Sequence, residues 1–380
     1  MMSTTEKTPG VQSSQPIQEE IKIKKQQLTE FMAQHNLAGI LLSLHENIAW
    51  ATAGQVDTRI VIPGTTGAAA VFVRKDGSGF YITTNNEAPR LHDEEFGGLP
   101  FEPVVAPWSD ANFAKMARGL AATGTIGADT HEANCTFISL AGLRSQLQPT
   151  EIERYRLLGS MTARVVEEVA LHLEPGMTED EMSAMTASLL LQKAILPSVL
   201  LMAVDDRILK YKHALARGRR LKQFGMVNLC SRKWGLAISI TRFVHFGPMP
   251  QQLARGFDAA AQVNAALLHA TRAGATSKQL YAVAKDAYAA AGFPGEEELH
   301  HQGGAAGYGE REWVATPNGA EVVLNRQAFA WNPSAKGGKA EDTVVLQDGK
   351  IEILTETAQL PAVETVVGGQ SYRSAGVLLK

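Results

Sequence analysis

The chain has 380 residues, 45% of them hydrophobic, and a formal net charge of −3. That is apolar material enough for two domains, and too little net charge to point to nucleic acid or an anionic membrane as partner. The two cysteines, Cys135 and Cys230, exclude a disulfide framework and a cysteine metal site, and fit a reducing, cytoplasmic setting.

Residues 1–17 are polar, with Ser, Thr, Gln and Pro, and lack the apolar core of a signal peptide. They read as a disordered lead-in. No apolar run is long enough to span a membrane. From Ile17 to Gln34, apolar Ile21, Ile23, Leu28, Phe31 and Met32 recur among polar residues, which predicts a helix. Ala38 to Leu44 reads as a buried strand. "AAAVFVRKDGSGFYIT" reads as a hairpin turning at Asp76-Gly77. "FEPVVA" and "GTIGAD" read as strands around a helix capped by Asp110 and running to about Ala122, and Phe137 to Leu147 reads as a helix. Interleaved strands and helices make residues 18–148 an α/β domain.

A second domain, 149–380, opens at "TEIE", where Thr150 can cap a helix and Glu153 reach back to it. That helix runs to about Leu173. "TEDE" at Thr178 starts another, to about Leu191. A basic region leads into Gly225 to Gly247, two strands folded on each other. Helices follow at about Gln251 to Thr271 and Ser277 to Ala291, then strands at "AFAW", "TVVL" and "IEIL". Two helices then strands, twice over, suggest two similar halves packed together.

Five segments in order carry a resemblance. They are "PTEIERYRLLGSMTARVVEEVALHLEPGMTEDEM", "KHALARGRRLKQFG", "GMVNLCSRKWGLAISITRFVHFG", "HHQGGAAGYGEREWVATP" and "FAWNPSAKGGKAEDTVV". Together they resemble the pita-bread family of methionine and Xaa-Pro aminopeptidases, prolidase and creatinase. "LHENIAWATAG" is similar to a first-domain stretch of the two-domain members. The resemblance implies a two-domain α/β (α+β) protein: a creatinase-like first domain and a pita-bread domain of two pseudo-symmetric helix-helix-strand halves. It also implies a homodimer.

The metal-dependent members hold two ions with two Asp, one His and two Glu. The resemblance sets those positions on Asn228, Ser239, Gly304, Asn332 and Glu341. Only the last keeps a metal-binding carboxylate, and no Asp or Glu lies between Asp206 and Asp258. One carboxylate cannot hold two hard dications, so no metal and no other cofactor is expected.

Creatinase, which cleaves a C–N bond without metal, carries Asn at the first of these positions and uses a histidine that corresponds to His213. An imidazole's ordinary pKa, roughly 6.5, lies near neutrality, so a histidine is the side-chain type suited to take and give protons there. Glu341 and Glu312 are the candidate carboxylate partners of His213. Arg311 is a candidate clamp for an anion. His300, His301 and Tyr308, with Asn228, Asn332 and Ser239, are candidate pocket residues; His245 is a further histidine near the site. Creatine itself is not the expected substrate, because a guanidinium wants carboxylates. The expected function is metal-independent hydrolysis of a C–N bond in a small polar, possibly anionic, molecule. The alternatives are a non-catalytic pseudo-peptidase that binds a ligand or peptide, and a lyase on the same fold.

Overall fold

The structure is a computed structural model that describes residues 14–121 and 123–380. The chain separates into two units, Met1–Arg144 and Ser145–Lys380. The expected lead-in falls mostly on residues 1–13, which lie outside the described residues; Gln15–Ile17 already belong to the first helix.

In the first unit α1 (Gln15–Gln34) buries Ile21, Leu28 and Met32, part of the apolar stripe of the sequence. The sheet is built from β1 (Gly39–Leu44), β2 (Thr66–Arg74), β3 (Gly79–Thr84), β4 (Glu102–Ala106), β5 (Ile126–Ala128) and β6 (Thr136–Phe137), in the order β4-β3-β2-β1-β5-β6. Helices α2 (His45–Ala51), α3 (Ala88–Arg90), α4 (Phe113–Ala121) and α5 (Ala141–Arg144) complete it. The cap of α4 is corrected: Asn112, not Asp110, accepts the Lys115 amide at 2.8 Å, while Asp110 ends a separate 3-10 turn. The helix expected from Phe137 to Leu147 shrinks to α5, because Phe137 pairs in β6.

The second unit starts with α6 (Pro149–His172) and α7 (Glu179–Leu191). The start of α6 is also corrected. Pro149 takes the first helical position, where its missing N–H costs nothing, and Glu151 accepts the Gln148 amide at 2.7 Å. The expected Thr178 box does form at α7: Glu181 N–H donates to Thr178 Oγ1 at 3.1 Å, and Thr178 N–H donates back to Glu181 Oε2 at 2.7 Å.

Next come β7 (Leu196–Val204), the short α8 (Asp206–Lys210), β8 (Phe224–Lys233) and β9 (Leu236–His245). The β8–β9 hairpin closes on Trp234 and Gly235, both at positive φ (53° and 77°), the turn whose twist suits paired strands. The second half repeats the plan. Helices α9 (Gln251–Ala270) and α10 (Ser277–Ala290) precede β10 (Gly303–Ala306), β11 (Trp313–Val314), β12 (Gln327–Trp331), β13 (Ser334–Ala335), β14 (Gly338–Lys339), β15 (Asp342–Gln347) and β16 (Lys350–Ile353). The chain ends with β17 (Ala362–Val367), β18 (Gln370–Ala375) and β19 (Val377–Leu379). One sheet runs β19-β9-β8-β7 and the other β11-β10-β12-β15-β16. Val263, Leu267 and Leu280 of α9 and α10 share a core with Phe329, Trp331 and Val344 of the second sheet. Each such buried side chain contributes about 1.5–3 kcal/mol.

The two sheets are joined along β9. Ser239 N–H donates to Thr343 Oγ1 at 2.8 Å, and Thr343 Oγ1 donates to the Ser239 carbonyl at 2.9 Å. Buried Arg242 donates to Asp342 Oδ1 at 2.7 Å. This seam fixes where Glu341 stands relative to the hairpin. Strand β10 packs so tightly that side chains are excluded: a Cβ on Gly303 or Gly304 would lie 2.1 Å from the carbonyl of Ala330 or Trp313. Gly303 also has φ +99°. Gly304→Ala is expected to cost about 1–3 kcal/mol of stability, read as a lowered urea midpoint; an unchanged midpoint would show that the strands can part.

Candidate functional site

The register of β8 and β9 sets Asn228 opposite Thr241 and Cys230 opposite Ser239. Alternation along each strand puts all four on one face. Glu341, on the seam beside that face, is 4% exposed. Its Oε2 accepts hydrogen bonds from Asn228 Nδ2 (2.7 Å), Thr241 Oγ1 (2.5 Å) and Lys339 Nζ (2.6 Å). Its Oε1 faces Arg311 Nη2 at 3.5 Å. Burial alone would raise this carboxyl, but Lys339 and Arg311, with the hydrogen bonds of Lys339 and Thr241, hold it down at about 2. It is therefore ionised at neutral pH and cannot supply a proton there.

Arg311 also donates to Ser239 Oγ at 3.1 Å, and its Nε is buried without a partner. Cys230 Sγ lies 3.3 Å from Ser239 Oγ, and burial pushes the thiol up to about 11. It stays protonated and is a poor nucleophile.

These residues do not fit a pair of dications. The one carboxylate at the five positions has each oxygen facing a protein cation. Asn228 turns its N–H toward that carboxylate, so its amide acts as a donor there. Gly304 has no room for a side chain. Among the described residues no group of three or more His, Cys, Asp or Glu is arranged to hold a metal ion.

The histidines form a second cluster. His213 Nε2 and His300 Nε2 are 3.1 Å apart, with the rings edge to face. The His300 and His301 rings are 4.2 Å apart. The Gly303 amide donates to His301 Nδ1 at 3.2 Å, which leaves the proton of a neutral ring on Nε2. Burial first, then His301, His213 and Lys339, pushes His300 down to about 4. Burial and then Arg311, opposed by Glu341, bring His301 to about 4, although it keeps an exposed edge. Both rings are neutral at pH 7. The charges of the Glu341 cluster thus act directly on the histidines.

A cavity of about 180 Å³ touches both clusters: His300 and Lys339 both line it. It lies beside Met226 and Phe243, a cross-strand pair one step along the hairpin face from Asn228 and Thr241.

Other expected site residues sit elsewhere. Tyr308 is buried, and its hydroxyl donates to Glu151 of α6 at 2.5 Å, so it does not open on the cleft. Glu312 accepts the Tyr308 and Gly309 amides at 3.1 and 2.9 Å, holding its own loop rather than a histidine. His245 is buried with Nδ1 3.0 Å from the Gly247 carbonyl. Asn332 Oδ1 is buried without a hydrogen-bond partner. Lys339 is a member of the site that the motifs do not single out. The signal was its place two residues before Glu341 in "KAE", the spacing that returns side chains to one face of an extended chain.

Glu341→Gln would leave two cations facing a neutral amide, and is expected to cost about 3–5 kcal/mol at pH 7. The native carboxylate's contribution should be whole above its ordinary value of 4.5 and fade as pH falls through about 2. Denaturant titrations at pH 7, 4 and 2.5 test this: the gap between native and variant should narrow at low pH, and a constant gap would contradict the charge argument.

The model of metallopeptidase family M24 matches residues 153–349, and no curated protein matches the chain. Among solved structures, the prolidase of Pyrococcus horikoshii is 16% identical with a TM-score of 0.74, covering 88% of this chain and 99% of its own. The Xaa-Pro dipeptidase of Bacillus anthracis is also 16% identical, at a TM-score of 0.71, covering 89% and 98%. The N-terminal domain of the FACT complex subunit SPT16 from chickpea, Cicer arietinum, is 11% identical at 0.67, covering 90% and 97%. These likenesses show the two-domain fold, and the family match covers more than half of the sequence: the chain belongs to metallopeptidase family M24.

Proposed function

We propose that the chain is a metal-independent hydrolase that cleaves a C–N bond of a small anionic molecule. The observation that carries this reading is a cavity lined both by His300, whose ring stands 3.1 Å from His213, and by the half-buried Lys339 ammonium. In the proposed reaction, His300, paired with His213, takes a proton from water as the water oxygen bonds to the substrate carbon. Charge developing on the substrate oxygen is stabilised by the Lys339 ammonium at the cavity wall. The C–N bond breaks, and the histidine pair returns the proton to the leaving nitrogen. Glu341 takes no proton; it positions Lys339 and Arg311. This revises the carboxylate partnership expected from the sequence, since neither Glu341 nor Glu312 hydrogen-bonds His213.

A second reading is a ligand-binding pseudo-peptidase. It draws on one observation: among the described residues, no carboxylate bonds to His213 or His300 to orient the pair. The SPT16 likeness adds that this fold also occurs as a domain of a complex subunit.

A screen of small amides, lactams, ureas and amidines, with and without chelator, should find turnover that chelator leaves unchanged. His213→Ala and His300→Ala should then each lose about 10²–10⁴-fold in rate without loss of melting temperature. Near-normal rates in both folded variants, or loss of rate on chelation, would overturn the proposal. No turnover in the screen would favour the binding reading.

The pH profile is a separate check. A general base must be neutral to act, so the rate should hold down to about pH 5 and fall as pH drops through about 4, where His300 protonates. A rate that instead rises below pH 4 would mean the protonated ring is the active form.

A further inference from the structure

The cavity beside His300 has a composition that selects its ligand. Its inner wall is apolar: Ile208, Met226 and Phe243 are all buried. Its mouth carries Leu209, Tyr211 and Leu299, each more than half exposed, an apolar rim. Between these stand four lysines, Lys210, Lys212, Lys336 and Lys339, against one lining carboxylate, Glu296. Glu296 is already engaged, with Lys212 at 3.2 Å and Lys336 at 4.0 Å. Glu341, behind Lys339, is engaged by two cations. The cavity therefore offers apolar surface and positive charge, and no free carboxylate for an ammonium group.

We infer that the cavity takes an amphipathic carboxylate without a free α-amine, so that the substrate class is an N-acyl amino acid or a similar amide, and peptides with a free N-terminus are rejected. This deepens the proposed hydrolase and rests on it for the word substrate; the ligand preference stands on the cavity alone. The physical case has two parts. An apolar body covers Ile208, Met226 and Phe243 and the exposed rim, removing them from water. The ligand's carboxylate meets the lysine-bearing side of the pocket, with Lys336, 59% exposed, as its most available cation. An α-ammonium in the same place would be repelled by the lysines and would lose water without gaining a partner. A volume of about 180 Å³ equals that of about six waters at ~30 Å³ each. That suits one compact acyl or aryl group and not a long peptide.

The test pairs two probes that differ only by an ammonium group: 3-phenylpropanoylglycine and phenylalanylglycine. Binding to the full chain is measured by titration calorimetry, which needs no turnover. The acylated probe should bind at least about tenfold more tightly, and its affinity should fall with added salt. Lys336→Gln and Leu209→Gln, both at exposed positions, should each weaken it by about tenfold while the melting temperature holds. Equal binding of the two probes, no binding of the acylated probe at millimolar concentration, or unchanged affinity in both folded variants would overturn the inference. If the acylated probe binds as expected but no amide is cleaved, the hydrolase reading fails and the ligand preference remains. If amides are cleaved and the acylated probe does not compete, the reverse holds.

Discussion

A carboxylate taken out of water must be compensated where it stands. Glu341 is nearly fully buried, and the desolvation of such a charge costs several kcal/mol unless partners repay it. Lys339, Arg311, Asn228 and Thr241 do so. These five side chains come from β8, β9, the loop before β11, β14 and the β14–β15 link. Satisfying one anion thus ties together most of the elements that form the cleft. In the metal-dependent plan implied by the resemblance, carboxylates surround external cations. Here the cations are covalently part of the chain, and two of them face one carboxylate.

The seam along β9 follows from strand alternation. Ser239 and Thr241 face the cleft and meet Arg311 and Glu341. Arg242, the next residue along and therefore on the opposite face, points away and pairs with Asp342. Adjacent residues in "AEDT" therefore serve opposite sides: Glu341 in the site and Asp342 in the framework. Asp342 and Arg242 are both buried, so breaking either would leave an unpaired charge in the core. The framework pair fixes the register at which Glu341 meets the hairpin.

Much of this was legible in the sequence because it depends on periodicity and composition. The hairpin, the long helices, the Thr178 cap and the loss of carboxylates from the 225–247 stretch all needed only residue types at fixed spacing. What failed depended on choices that spacing leaves open. "QPTEIE" offers two acid-to-cap pairs three residues apart, and Pro149 at the first helical position selects Gln148–Glu151. Tyr308 and Glu312 lie in an irregular loop with no period to say where a side chain points; the first turns to Glu151 and the second to its own backbone. The His213–His300 contact joins residues 87 apart through two loops, and no local pattern encodes it.

The same charges that settle the fold of the site limit its chemistry. Lys339 near His300, and Arg311 near His301, make protonation of those rings harder, and burial adds to this. The rings are then always available as bases at neutral pH, but they are weak ones, since a base works best when its pKa lies near the working pH. A metal-bound hydroxide would bring a strong nucleophile at pH 7; rings held near 4, as those of His300 and His301 are, do not. On the proposed mechanism, the deficit must be met by the substrate and by electrostatics. Lys339 at the cavity wall can stabilise charge as it develops. An activated or strained C–N bond, as in a lactam or an aryl amide, needs less from the base than an ordinary peptide bond. On the proposed reading the two constraints act separately: the absence of a free carboxylate for an ammonium group favours an acylated amine over a free one, and the weakness of the base makes cleavage fastest where the acyl C–N bond is activated.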